Sequence, residues 1–365
     1  MNFTFYNRQD YFKQLVKDID AAKPGERVLV ATISLDPHDL LVAQVLHSLA
    51  GAAQRGAHVL VMVDAYTFLQ NPNKLPGPLW YNLTLTERMS QPFAKAYQML
   101  KHIEQCGGSV VITNRPNRRF STMHAGRSHI KAAIIGNRLY IGGCNLSGSD
   151  QIDLMTHSEN AKAADWVYQQ LSFVAHTGST KAAFKAQDQR FEVDKSTSIL
   201  IDAGRPRQSR ILDEALHLID TAEKSLLITC QYFPGGVTAK HLATAFRRGV
   251  DVTIYHSHPK VHGLEAPAHH VQQFVGRSRL PAKLKSFRLA KGAPKLHAKV
   301  LVSEKEAIVG SHNFITQGVT LGTAEIALHV KGPAFTAELR KFIENEITSR
   351  LPAKRSRANR RSKLA

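Results

Sequence analysis

Apolar positions along the chain fall into two series of the same order. In the first, an apolar run at 27–34 leads into a stretch of helical spacing that ends Ala53-Gln54-Arg55-Gly56, and a second apolar run follows at 58–63. In the second, a run at 225–233, a helical stretch ending Phe246-Arg247-Arg248-Gly249 and a run at 251–255 repeat that order. Both helices close on Arg-Gly, where Gly accepts the left-handed backbone of a helix C-terminus. Each series then reaches two short apolar runs split by a turn. They are 132–135 and 139–141 around Gly136-Asn137-Arg138, and 300–302 and 307–309 around Ser303-Glu304-Lys305. Such pairs predict β-hairpins.

Strands alternating with helices predict an α/β fold made of two repeats, each a mixed sheet flanked by helices, packed with their hairpins facing each other. A chain of 365 residues is long enough for two such cores. The polar stretch at 185–198 is the expected boundary, which gives a first unit at 1–190, a second at 191–352 and a tail at 353–365. From Arg55 to His129 is 74 residues, but from Arg248 to His297 only 49. The extra residues, which include Trp80 and Tyr81, are expected at 66–92, either as a loop over the mouth of the site or as a surface excursion with no role in it.

The polar residues framing the hairpins carry the chemistry. His129-Ile130-Lys131 precedes the first hairpin and Gly142-Gly143-Cys144-Asn145 follows it; His297-Ala298-Lys299 and Gly310-Ser311-His312-Asn313 frame the second, 168 positions on. In both copies Lys lies two residues after His and Asn sixteen after it. On a strand, residues two apart share a face, so each His and its Lys are expected to point together. One His-x-Lys is commonplace, but two with the same Gly and Asn intervals are a duplicated site. Lys supplies a compact positive charge for phosphate oxygens and Asn a neutral donor. Histidine serves as nucleophile or as general acid and base near neutral pH. Displacement at phosphorus needs an attacker and a proton donor on opposite sides, and two copies supply both.

At these residues the chain resembles the phospholipase D superfamily, whose signature is a pair of H-x-K…N motifs meeting across a pseudo-twofold axis, which implies two repeats packed with pseudo-twofold symmetry. The resemblance implies a phosphohistidine formed on one imidazole while the other protonates the departing alcohol. It favours His129 as nucleophile and His297 as acid and base, with Lys131, Lys299, Asn145 and Asn313 on the phosphate oxygens, and it calls for no cofactor or metal. It also implies a carboxylate two to three dozen residues past each motif to hold the other ring nitrogen. Asp153, 24 after His129, and Glu325, 28 after His297, stand there. The family's turn Asp is replaced by Gly136 and Glu304, read as a tightened hairpin away from the reacting phosphorus. The Gly142-Gly143-x-Asn145 form is similar to that of bacterial cardiolipin synthases.

Charge narrows the partner. The formal net charge is +19, with 48 Lys and Arg against 29 Asp and Glu. Arg115, Arg118 and Arg119 precede the first motif; Arg277, Arg279, Lys283, Lys285, Arg288, Lys291 and Lys295 precede the second, and six more basic residues fall at 354–363. Anionic membrane surfaces and nucleic acids both attract such segments. The resemblance to cardiolipin synthases implies a phospholipid substrate with peripheral contact at an anionic membrane; a phosphodiesterase acting on DNA or RNA is the alternative, for which the few interleaved aromatics, Phe120, Phe274 and Phe287, give weak support. Three cysteines leave one unpaired in any disulfide scheme, which points to a reducing compartment. No apolar run is long enough to span a bilayer and the N-terminus lacks a signal-peptide pattern, so a cytoplasmic location is expected.

Overall fold

The computed structural model describes residues 1–69, 91–115, 126–148, 151–185, 187–260, 266–290 and 293–350. The extra stretch expected at 66–92 lies almost wholly outside these residues, as do Arg118, Arg119, Phe120, Lys291 and the tail.

The first sheet is built from β1 (Thr4–Asn7), β2 (Arg27–Thr32), β3 (His58–Asp64), β4 (Ser109–Thr113), β5 (Ala132–Ile135), β6 (Arg138–Gly142) and β8 (Leu154–Glu159), in the order β1-β8-β6-β5-β2-β3-β4. The short strand β7 (Gln151–Ile152) stands apart from it. The second sheet takes β9 (Gln189–Glu192), β10 (Thr197–Ala203), β11 (Ser225–Cys230), β12 (Asp251–His256), β13 (Lys285–Arg288), β15 (Lys299–Ser303), β16 (Glu306–Gly310) and β17 (Ala324–Lys331). Between β13 and β15 the chain also forms β14 (Lys295–Leu296). The second order, β13-β12-β11-β15-β16-β17-β10-β9, read backwards reproduces the first strand for strand, with β9 added at one edge. In both sheets β2-β3-β4 and their counterparts are parallel and the remaining pairs are antiparallel. The mixed α/β architecture is the one the sequence predicts.

Both faces of each sheet are covered, which is why their strands read as near-continuous apolar runs rather than alternating ones. Along β2, Val28 and Val30 turn to an outer core, where they meet Phe12 and Leu15 of α1 (Arg8–Asp20) and Val45 and Leu49 of α2 (Leu40–Gln54); α3 (Gln91–Gln105) adds Leu100. Leu29, between them, points the other way into a core shared by the two sheets. That shared core holds Ile134 and Ile141 from one sheet and Val300 and Val309 from the other. Val167 and Leu171 of α4 (Ala161–Thr177) complete it. The outer face of the second sheet buries Ile228, Ile254 and Leu301 under Leu218 of α5 (Arg210–Thr221) and Leu242 of α6 (Gly236–Arg247). Later in the chain come α7 (Ala266–Ser278) and α8 (Pro333–Ser349), the latter lending Leu339 and Ile343 to the shared core. Among the described residues no helix is long and apolar enough to cross a membrane.

The sequence places His129 and His297 on the first strands of their hairpins; the structure moves them off. β5 begins at Ala132 and β15 at Lys299, so each histidine sits in extended chain just ahead of its hairpin. That chain is drawn towards the opposite sheet. Ser128 bridges Ala324 and the His129 amide donates to Ala324 O at 2.7 Å; β14 pairs with β7 and the His297 amide donates to Ile152 O at 2.8 Å.

Candidate active site

These two short bridges decide which side chains meet. Ala324 precedes Glu325 and Ile152 precedes Asp153, so each histidine lies beside the acid of the other half. His129 Nδ1 donates to Glu325 Oε2 at 2.9 Å and to Ser311 O at 3.1 Å. His297 Nδ1 lies 2.6 Å from Asp153 Oδ2. The expected pairing, each acid serving the histidine of its own unit, is therefore corrected: the pairs are crossed. A backbone carbonyl only accepts, so the proton of neutral His129 is on Nδ1 and the Nε2 lone pair is left for chemistry.

Lys131 and Lys299 are wholly buried, at 0% and 1% exposure, which is unusual enough for lysine to demand a reason. Each curls back to its own histidine: Lys131 Nζ donates to His129 O at 2.7 Å and Lys299 Nζ donates to His297 O. One of the three donors of each ammonium is thus spent on the histidine backbone. The fields of these groups overlap. Lys131 feels Glu325, Lys299 and Asp153, and His129 feels both lysines. The six ionisable residues nominated from the sequence therefore form one cluster.

Burial brings the His129 imidazole down to about 4; Glu325 opposes this, while Lys131 and Lys299 add to it. Burial and then Lys299 hold His297 well below its ordinary value against Asp153. Burial likewise lowers Lys131 well below its usual range and Lys299 to about 8. Burial pushes both acids up but is outweighed. The charge and hydrogen bond of His129 bring Glu325 down to about 2, and those of His297, with Lys299, lower Asp153. The resting site at neutral pH thus holds two neutral imidazoles on ionised carboxylates beside two buried amines. An anion brought among these groups favours the cationic forms of those nearest it.

Asn145 is buried and Asn313 half-buried, each at the end of its closing phrase. Both carry an Oδ1 that is buried without a hydrogen-bond partner among the described residues. A half-turn of either carboxamide puts Nδ2 at that position, the donor a phosphate oxygen accepts.

The closing phrases are fitted to their acids. A Cβ on Gly143 would overlap Asp153 Oδ1, whereas Ser311, its counterpart, donates its hydroxyl to Glu325 Oε2. The shorter acid is packed against Gly and the longer one is bonded by Ser. Cys144 packs as a small buried residue in the first outer core, and all three cysteines are free thiols. His312, buried and also within the field of Glu325, accepts the Phe314 amide on Nδ1 at 3.0 Å, a structural bond that leaves its proton on Nε2.

Other positions were not singled out in the sequence. Asp64, at the end of β3, accepts the Ser128 amide at 2.7 Å and meets Arg127 Nη1 at 3.1 Å. Ser257, just past β12, accepts the Leu296 amide at 2.8 Å and donates to Leu296 O at 3.0 Å. Both clamp the residue directly before the histidine. The signal was present, since each stands nine residues after the Arg of its Arg-Gly helix end, but an acid in one copy and a hydroxyl in the other concealed it. The turn residues lie where expected, away from the cluster. The Glu304 carboxylate takes the amides of Glu223, Lys224 and Ser225 at 3.0–3.2 Å. In the first unit Gly136 (φ 59°) leaves room for Glu26, the residue at the position of Lys224.

Residues 215–347 match a family model described as "Cardiolipin synthase, PLD-like domain". No curated protein sequence matches the chain. Among solved structures, a phosphatidylserine synthase from Haemophilus influenzae Rd KW20 is similar at 14% identity and a TM-score of 0.73, covering 96% of this chain and 87% of that one. A polyphosphate kinase from Porphyromonas gingivalis is similar at 12% identity and a TM-score of 0.57. It covers 94% of this chain, which spans 50% of that longer one. At such identities the likeness is one of fold, here extending through both repeats, and the family model falls on the second of them. Residues 215–347 thus match a phospholipase D-like domain by the family model, and the likeness of fold extends over the rest of the chain.

Proposed function

We propose that the chain cleaves or exchanges the headgroup diester of anionic phospholipids through a phosphohistidine, in the manner of a cardiolipin synthase. The observation that carries this reading is the crossed pair His129–Glu325 and His297–Asp153, with both buried lysines inside the same cluster. His129 Nε2 forms the bond to phosphorus as the bond to the alcohol oxygen breaks, and His297, which takes up a proton on Nε2 when the anionic diester binds, gives that oxygen its proton. In the second half His297 takes a proton from water or an acceptor alcohol, whose oxygen displaces His129. Lys131, Lys299, Asn145 and Asn313 stabilise the charge on the non-bridging oxygens. Glu325 and Asp153 hold the rings by Nδ1 and stabilise each imidazolium as it forms. The first sheet with strands up to Glu159 and the second with strands from Gln189 act as two units, 1–190 and 191–352, that share one site.

Lipid is favoured by the description of the family model over 215–347 and by the phosphatidylserine synthase likeness. The same fold in a polyphosphate kinase makes the substrate something the site must be asked directly. Purified protein is offered phosphatidylglycerol vesicles with and without glycerol, and single- and double-stranded DNA, all in chelator. Phosphatidic acid or an exchanged headgroup is the expected product, with a labelled phosphoenzyme after acid quench that is absent from His129→Ala. Cut DNA beside untouched lipid would overturn the substrate assignment, and lipid turnover by both His129→Ala and His297→Ala would overturn the chemistry.

A further inference from the structure

The helix α7 is inside out. Its buried side carries Gln273, 6% exposed, and Gly276, where a Cβ would overlap the Phe233 ring; Gln272 Nε2 donates to Phe233 O at 3.4 Å. Its outer side presents Val271 at 63%, Phe274 at 76% and Val275 at 41% exposure. Positions 271, 274 and 275 are spaced as one helical face, so an apolar stripe points at solvent and amides point at the protein. An ordinary surface helix has the reverse polarity, and a contiguous outward apolar face marks an interaction surface.

The charge around this face identifies the partner. From 266 to 303 the sequence contains no acidic residue, and Arg277 in α7 with Arg279 and Lys283 just past its end are all exposed. Lys285 is engaged with Asp251 at 2.8 Å. Apolar side chains on a helix with cations at its end fit the boundary between headgroups and acyl chains of an anionic bilayer. Nucleic acid would use the cations and the Phe274 ring, but two exposed valines offer it no stacking face.

The surface also adjoins the site. Phe233, beneath α7, meets the His256 ring edge-on at 4.9 Å; the next residue, Ser257, clamps Leu296 directly before His297. We infer that the outward face of α7 is the bilayer-docking surface, which seats an anionic membrane at the rim of the active site. This deepens the lipid reading above and rests on it for its purpose, but its test does not use lipid turnover.

Wild type and the double variant Val271→Ser/Phe274→Ser are sedimented with phosphatidylglycerol and with phosphatidylcholine vesicles, and turnover of bis(p-nitrophenyl) phosphate reports an intact site. The double variant is expected to lose roughly tenfold or more in affinity for phosphatidylglycerol vesicles, with unchanged turnover of the soluble diester. Phe274→Trp is expected to keep or strengthen binding, since Trp favours the interface. Phosphatidylglycerol binding by the double variant at wild-type strength overturns the inference. A change of oligomeric state in ultracentrifugation would overturn it in favour of a second copy of the chain. Loss of single-stranded DNA binding with vesicle binding intact would do so in favour of nucleic acid. A wild type that binds vesicles through this face without turning lipid over refutes the proposed substrate and leaves the surface standing.

Discussion

Crossing of the acids makes a prediction that separates it from the uncrossed arrangement. Asp153→Asn keeps the shape of a side chain that is 1% exposed, but removes the charge 2.6 Å from His297 Nδ1 and beside Lys299. A hydrogen bond to a charged group contributes about 1.5–3 kcal/mol. An amide NH2 facing Nδ1 also selects the tautomer with its proton on Nε2, which removes the base for the second half-reaction. Together these should lower kcat by about 10²–10⁴-fold, the range of a general acid or base. The assay compares two diesters, one with an alkyl leaving group and one with p-nitrophenol, which departs without protonation. In kcat/KM, which reports the step in which the alcohol leaves, loss in Asp153→Asn should shrink on the p-nitrophenyl diester together with that of His297→Ala, while Glu325→Gln and His129→Ala stay equally impaired on both. In double variants, Asp153→Asn should add little to His297→Ala but most of its factor to Glu325→Gln, which keeps the nucleophile, because groups that act as a unit are not additive. If Asp153→Asn instead follows His129→Ala in leaving-group dependence and adds its factor to His297→Ala, the crossed geometry does not operate in catalysis and the reasoning fails.

Three further outcomes are expected. Gly143→Ala drives a methyl group into Asp153, and should cost about 1–3 kcal/mol of unfolding free energy in urea as well as most activity, since overpacking has that scale; wild-type stability and turnover would show the fit to be slack. Ser257→Ala releases Leu296 and should lower kcat several-fold with KM little changed, while Ser257→Thr restores it; a rise in KM alone would mean that the clamp acts on substrate instead. Stability should fall as pH drops from 6.5 towards 4: unfolded His129 takes up a proton near 6.5, the folded residue only at about 4, so the folded state loses ground on acidification, by an amount on the order of 3 kcal/mol. Urea midpoints measured at pH 7 and pH 4.5 for wild type and His129→Gln check this, the variant having the shallower slope; equal slopes would contradict the burial assigned to the ring.

Much of the site could be read in the chain because its information is local. His-x-Lys, the Gly-containing return and the acid two dozen residues on are spaced within one unit, and doubling exposes them against background. The central strands were legible too, being apolar on both faces. Three things were not. The edge strand Thr4–Asn7 and the added strand Gln189–Glu192 are four residues each with mixed polarity, below what a period can reveal. The partner of each acid was hidden, since Asp153 and Glu325 follow their own histidines at nearly equal intervals and only face-to-face packing of the sheets assigns them. Helix α7 reads as amphipathic whichever side is buried, so its reversed orientation needed coordinates.

The hairpin turns carry a lesson of their own. One acid is present at each hairpin junction, contributed by the turn as Glu304 in the second repeat and by the incoming loop as Glu26 in the first. What the architecture conserves between its halves is thus a charge at a place, with either strand end free to donate it. Grafting one repeat's turn onto the other would bring two carboxylates face to face or leave the junction amides without an acceptor, so the halves are related by shape yet not interchangeable piece by piece.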